Sequence, residues 1–108
     1  MSTSSFEERK QAAEAKFAHD QELAFKARAR RNKKVGLWAA GMMGLAGADA
    51  QTYAQAIIKV DFVEPGDEDI FRKLRSDFDA KNVSVSDHQI RRTLEELLVD
   101  ALEEIQQE

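Results

Sequence analysis

The side chains that could carry chemistry in this sequence are two histidines, an acidic cluster, a basic run and a spaced pair of glycines. His19 and His88 lie far apart in the chain, and neither sits among acids at a spacing that would make a metal site. Asp61, Glu64, Asp67, Glu68 and Asp69 have the charge for calcium. They lack the alternate-position ligands and closing glutamate of a helix–loop–helix site, and helix capping with solvation accounts for them more simply. Gly36 and Gly41 mimic the spacing of a phosphate-binding loop, but no Lys-Ser or Lys-Thr follows Gly41 and no strand precedes it. Helix termination is the better reading of these glycines. No base stands beside a nucleophile it could activate, so nothing recommends an enzyme. The absence of cysteine excludes disulfides and thiolate metal sites.

The basic run is the stronger lead. Lys26, Arg28, Arg30, Arg31, Lys33 and Lys34 put six cations into nine residues. On a helix turning about 100° per residue, Lys26, Arg30, Lys33 and Lys34 point one way. Arg28 and Arg31 flank an apolar stripe, where they can meet acids from elsewhere in the chain. Those acids exist. Residues 1–50 carry nine Lys/Arg against six Asp/Glu, residues 51–108 carry seven against fourteen, and the chain as a whole stands at −4. The two halves therefore attract each other or show opposite signs to a partner. The run has no interleaved aromatic for base stacking and the chain is anionic, so a protein-facing or solvated patch is preferred to nucleic acid. A small helical nucleic-acid-binding or regulatory adaptor using residues 26–34 is the alternative reading.

The elements that must position these groups are helices. The 108 residues suit one domain, rich in helix formers, with one proline and five glycines. Residues 1–18 are polar, with Phe6 and Phe17 as large apolar side chains, and are expected to fray when the protein is alone. From Leu23 an apolar stripe runs through Ala24, Ala27, Arg31, Val35, Trp38, Met42 and Leu45. Phe25 and Leu37 fall off it. A turn is expected at Gly47-Ala48, with Asp49 capping a second helix whose rows are Tyr53, Ile57, Val60 and Ala54, Ile58, Phe62. Pro65-Gly66 breaks that helix, and Asp67 is expected to cap a third that buries Ile70, Phe71, Leu74 and Phe78. Ser86 and Gln89 have capping-box spacing, and Val85 and Ile90 stand where a hydrophobic staple would close. The expected fold is all-α: an irregular four-helix bundle over 19–108 with a long first helix, preceded by a flexible arm over 1–18. Val35 to Ala48 is uncharged for fourteen residues, short of the roughly 20 apolar residues of a membrane span. With no secretory signal at the start, a cytoplasmic location is expected.

Certain words in the chain are specific. Glu14-Ala15-Lys16-Phe17-Ala18-His19-Asp20, Glu22-Leu23, Ala29-Arg30-Arg31-Asn32-Lys33 and Gly36-Leu37-Trp38-Ala39-Ala40 resemble the zeta inhibitor subunit of the alphaproteobacterial F-type ATP synthase. Tyr53-Ala54, Asp61-Phe62, Pro65-Gly66-Asp67-Glu68-Asp69 and Val85-Ser86 extend the similarity over nearly the whole chain. It departs at Gln21, Lys34 and Gly41, where the family pattern leads one to expect Glu, Leu and Glu. The resemblance implies a four-helix bundle whose N-terminal arm inserts as a helix between catalytic subunits of the enzyme's soluble head and blocks rotation in the hydrolytic direction. By position the arm contacts are Phe6, Glu8, Arg9, Ala13, Glu14, Lys16 and Phe17, with Lys26, Arg30, Arg31 and Lys33 as secondary contacts. It further implies a monomer when free, peripheral to the inner membrane through the synthase, with no required cofactor. Some members are similar in having a weak adenine nucleotide site, which maps onto no residues here. A polar arm with two spaced phenylalanines also suits coupled folding and binding on its own account.

Overall fold

The computed structural model describes residues 5–17, 20–63 and 66–108. These residues form five helices and no strand: α1 (Ser5–Phe17), α2 (Gln21–Met42), α3 (Gly47–Val63), α4 (Asp67–Ala80) and α5 (Asp87–Gln106). Helices α2 to α5 are the expected four in the expected order. The addition is α1, where the sequence led us to expect a frayed arm. His19, Glu64, Pro65 and the side chains of Phe17 and Phe62 lie outside the described part.

The helix ends follow from local hydrogen bonding. The Asp20 side chain accepts from the Leu23 N–H at 3.0 Å and starts α2. Gly44, at φ +80°, reverses the chain after α2, so that the Gly44 N–H reaches the Gly41 carbonyl and the Leu45 N–H reaches that of Ala40. The expected turn at Gly47-Ala48 therefore falls at residues 43–46, and Asp49 lies in the first turn of α3. At the end of α4, Asn82 takes the same left-handed role at φ 58°. Gly66 rather than Asp67 is the N-cap of α4; Asp67 opens the first turn, together with Glu68 and Asp69 at the positive end of the dipole. Ser86 accepts from the Gln89 N–H at 3.0 Å and starts α5, with Val85 and Ile90 both buried beside it.

Packing joins α2 and α3 into an antiparallel hairpin. Gly36 is a point of close approach: a Cβ there would lie 2.5 Å from the Ala54 Cα. This overturns the reading of Gly36 as a terminator, since it sits buried inside α2 where only a hydrogen fits. The main core gathers Val35 and Ala39 of α2, Ile57 of α3, Ile70, Leu74 and Phe78 of α4, and Val85, Ile90 and Leu94 at the start of α5. Trp38 closes it edge-on to Phe78, with ring centroids 5.6 Å apart. A smaller second cluster joins Ala13 of α1, Ala27 of α2, and Leu102 and Ile105 of α5. Leu23 and Leu98 pack against it. Of the stripe read from the sequence, Ala27, Arg31 and Val35 are buried, whereas Ala24 and Met42 near its ends are exposed.

Candidate protein-binding interface

Two segments were singled out by the sequence, the arm and the basic run. In α1, Glu7 and Glu8 occupy the first turn and Lys16 the last, the signs that suit the helix dipole. The frayed arm is corrected to a helix seated on α5, because one of its faces finds partners there. Phe6 is 9% exposed and Ala13 2%. The Arg92 guanidinium lies over the Phe6 ring, 4.4 Å from its centroid. Arg9 donates through Nη2 to Asp100 and to Glu103, each at 2.7 Å, and through Nε to Glu103 at 3.1 Å. Lys10 pairs with Glu95 at 2.6 Å. The hydrogen bonds to Glu103 and then Asp100 raise the Arg9 pKa further, and Arg9 in turn holds the Glu103 carboxyl below its usual range.

Of the arm residues expected to meet a partner, the structure brings Phe6, Arg9 and Ala13 onto α5, while Glu8, Glu14 and Lys16 face solvent. Glu14 overhangs two clefts of about 200 and 230 Å³, both floored by Leu98 and Leu102. Lys10, Glu95, Asp100 and Glu103 were not legible as site residues. Their signal was opposite charge between the two halves, which names no pairs among fourteen acids in residues 51–108.

The basic run turns inward on the chain's own acids. Lys26 pairs with Glu108 at 2.8 Å, Lys34 with Glu104, and Arg30 with both Glu104 and Glu108. Arg28 reaches Asp61 at 2.8 Å and Asp67 at 3.4 Å. Arg31 is 0% exposed, donating to Asn32 and, at 3.0 Å, to Asp67; its Nη1 finds no partner among the described residues. As a secondary partner contact Arg31 is therefore corrected, since it is sealed within the fold. The expectation that Arg28 and Arg31 meet the acidic half holds. Lys33 is exposed and forms no ion pair among the described residues, which leaves little of the run for phosphates.

Asp61 is the hub of this network. Its carboxylate accepts from Arg28, from the Asn32 amide at 2.8 Å and from the Gly66 N–H at 3.2 Å, tying α2 to the end of α3 and the start of α4. Burial pushes its pKa up, but the hydrogen bonds from Arg28, Asn32 and Gly66 together outweigh burial and hold it below the usual range. The acidic cluster is thus a structural clasp as far as Asp61 and Asp67 are concerned, and the described residues contain no group of acids and histidines arranged to hold a metal. His88 is exposed. No helix among the described residues is long and apolar enough to cross a membrane.

This arrangement, an outer helix on a helical body, agrees with the sequence comparison. A family model described as ATPase inhibitor subunit zeta matches residues 1–104. The chain belongs to that family. The match takes in α1 to α4 and nearly all of α5, so the arm and the helical body are both part of the zeta pattern. An inhibitor subunit of an ATPase acts on another protein and is not itself an enzyme. Among solved structures, a solution NMR structure of a protein 40% identical in sequence covers 77% of this chain and 94% of its own, with a TM-score of 0.67. No curated protein matches.

Proposed function

We propose that this zeta-family chain inhibits ATP hydrolysis by an F-type ATP synthase by inserting its N-terminal arm as a helix between catalytic subunits of the soluble head. There the arm blocks rotation in the hydrolytic direction. The family match over residues 1–104 carries the reading. The structure supports the division of labour, since α1 is a single helix on the outside and contributes no residue to the main core. Phe6 and Phe17 are the apolar anchors of the arm, Ala13 permits close approach, and Glu8, Arg9, Glu14 and Lys16 set register by charge. Lys26, Arg30 and Lys33 are secondary contacts. Localisation follows the synthase, at the cytoplasmic side of the inner membrane, and the free chain is monomeric.

The test is ATP hydrolysis by the matching rotary enzyme, titrated with the intact chain and with a chain lacking residues 1–17. The intact chain inhibits and the truncated one does not. Phe17→Ala gives an intermediate loss, since truncating an aromatic anchor at an interface costs about 2 kcal/mol or more. Equal inhibition by intact and truncated chains would sink the mechanism.

A further inference from the structure

We propose that α5 is an intramolecular receptor for the arm, and that the conformation described here is the arm's stowed, non-inhibiting state. This rests on the reading of the arm as the inhibitory element. The observation that carries it is that one helix face has two uses. Phe6, Arg9 and Ala13, assigned to the partner, are the residues α1 spends on α5. The residues left outward are Ser5, Glu8, Gln11, Ala12, Glu14, Ala15 and Lys16. None of them is a large apolar side chain, and Phe6, one of the two anchors, is withheld from a partner while the arm is seated.

The seat is built to release. Arg9, Asp100 and Glu103 are each between a third and two fifths exposed, where ion pairs hold weakly and are screened by salt. The clefts under Glu14 leave Leu98 only partly buried. The main core lies elsewhere, so α1 can depart without opening it. The head and α5 thus compete for one face of the arm, and apparent affinity for the head falls with the fraction stowed. The groove that replaces α5 on the partner has the same chemistry: carboxylates for Arg9 and an apolar socket for Phe6.

Two variants of the full chain test this. Asp100→Asn with Glu103→Gln weakens the seat and leaves the arm sequence intact. Hydrogen exchange reads stowing directly: α1 amides are protected in the native chain and lose protection in the variant. In the hydrolysis assay the variant reaches half-maximal inhibition at about three- to tenfold lower concentration. The chain has no cysteine, so Lys10→Cys with Glu95→Cys can be joined across their ion-pair position by a reducible bifunctional thiol reagent. The linked chain fails to inhibit, and reduction restores inhibition. A linked chain that inhibits fully overturns the proposal, as does a native α1 that exchanges at the unprotected rate. A seat that loosens in exchange without any change in inhibition overturns it too. If the intact chain never inhibits while α1 is protected, the failure is that of the inhibitory reading, and the stowed helix has no regulatory meaning.

Discussion

At the scale of single residues, two positions matter beyond the apolar core, a glycine and a buried carboxylate. Gly36 lets α2 and α3 meet backbone to backbone. Gly36→Ala sets a methyl 2.5 Å from the Ala54 Cα. Because the obstacle is main chain, the helices must part, and the loss should be about 1–3 kcal/mol, read as a lower denaturant midpoint. Asp61 binds three donors from α2 and the α3–α4 junction. Asp61→Ala leaves the buried Asn32 amide without its acceptor and Arg28 with Asp67 alone, a loss of about 1–3 kcal/mol. Asp61 also fixes a pH dependence. Its carboxyl titrates lower folded than unfolded, so its stabilisation is present above the unfolded value near pH 4 and is lost as pH falls through the lower folded value. Urea titrations from pH 6 downward should show a steeper acid loss in the native chain than in Asp61→Ala.

At the scale of elements, the starts of α2 and α5 are each set by a side-chain cap. The start of α5 carries the most connections. Ser86 caps it, Val85 and Ile90 enter the main core, and Arg75 of α4 donates to the Val85 carbonyl at 2.6 Å and to Asp87 at 3.0 Å. Ser86→Ala removes only the cap and should cost about 1 kcal/mol, measured as a shift in denaturant midpoint at unchanged slope. An unchanged midpoint would mean that Arg75 and the staple position the helix by themselves. Tyr53 makes the corresponding tie between α3 and α4, donating to Asp77 at 2.6 Å. Burial and that hydrogen bond raise its pKa, so the hydroxyl stays protonated as a donor.

At the scale of the whole molecule, the two clusters differ in what they hold. The main core joins α2 to α5 and contains nothing from α1, while the smaller one includes Ala13. Removing residues 1–17 exposes parts of Leu102 and Ile105 but frees a helix from the entropic cost of being ordered. The net loss should be about 1 kcal/mol, or roughly 4–8 °C in thermal midpoint for a domain of this size. Calorimetry of the truncated chain checks it, and a broad transition without cooperativity would show that α1 is integral to the body.

The four body helices, their order, the α5 cap and the family were legible before folding was considered. These depend on apolar periodicity, Ser-x-x-Gln spacing and specific words, all of which are local. Helical position beside the apolar stripe, together with the charge balance of the two halves, also indicated that Arg28 and Arg31 can meet the acidic half. Which charges meet, and which face of the arm is covered, became visible in the folded molecule. The polar stretch at residues 1–18 shows no stripe of its own, because what seats α1 lies about ninety residues away: Arg9 pairs with Asp100 and Glu103, Lys10 with Glu95, and Ala13 packs on Leu102 and Ile105. The role of Gly36 was hidden for the same reason. A glycine within a helix reads as a weak point until another backbone is known to lie against it. Local hydrogen bonds and periodicity are written in neighbouring residues, whereas close approach and long-range charge pairing exist only once the chain has folded.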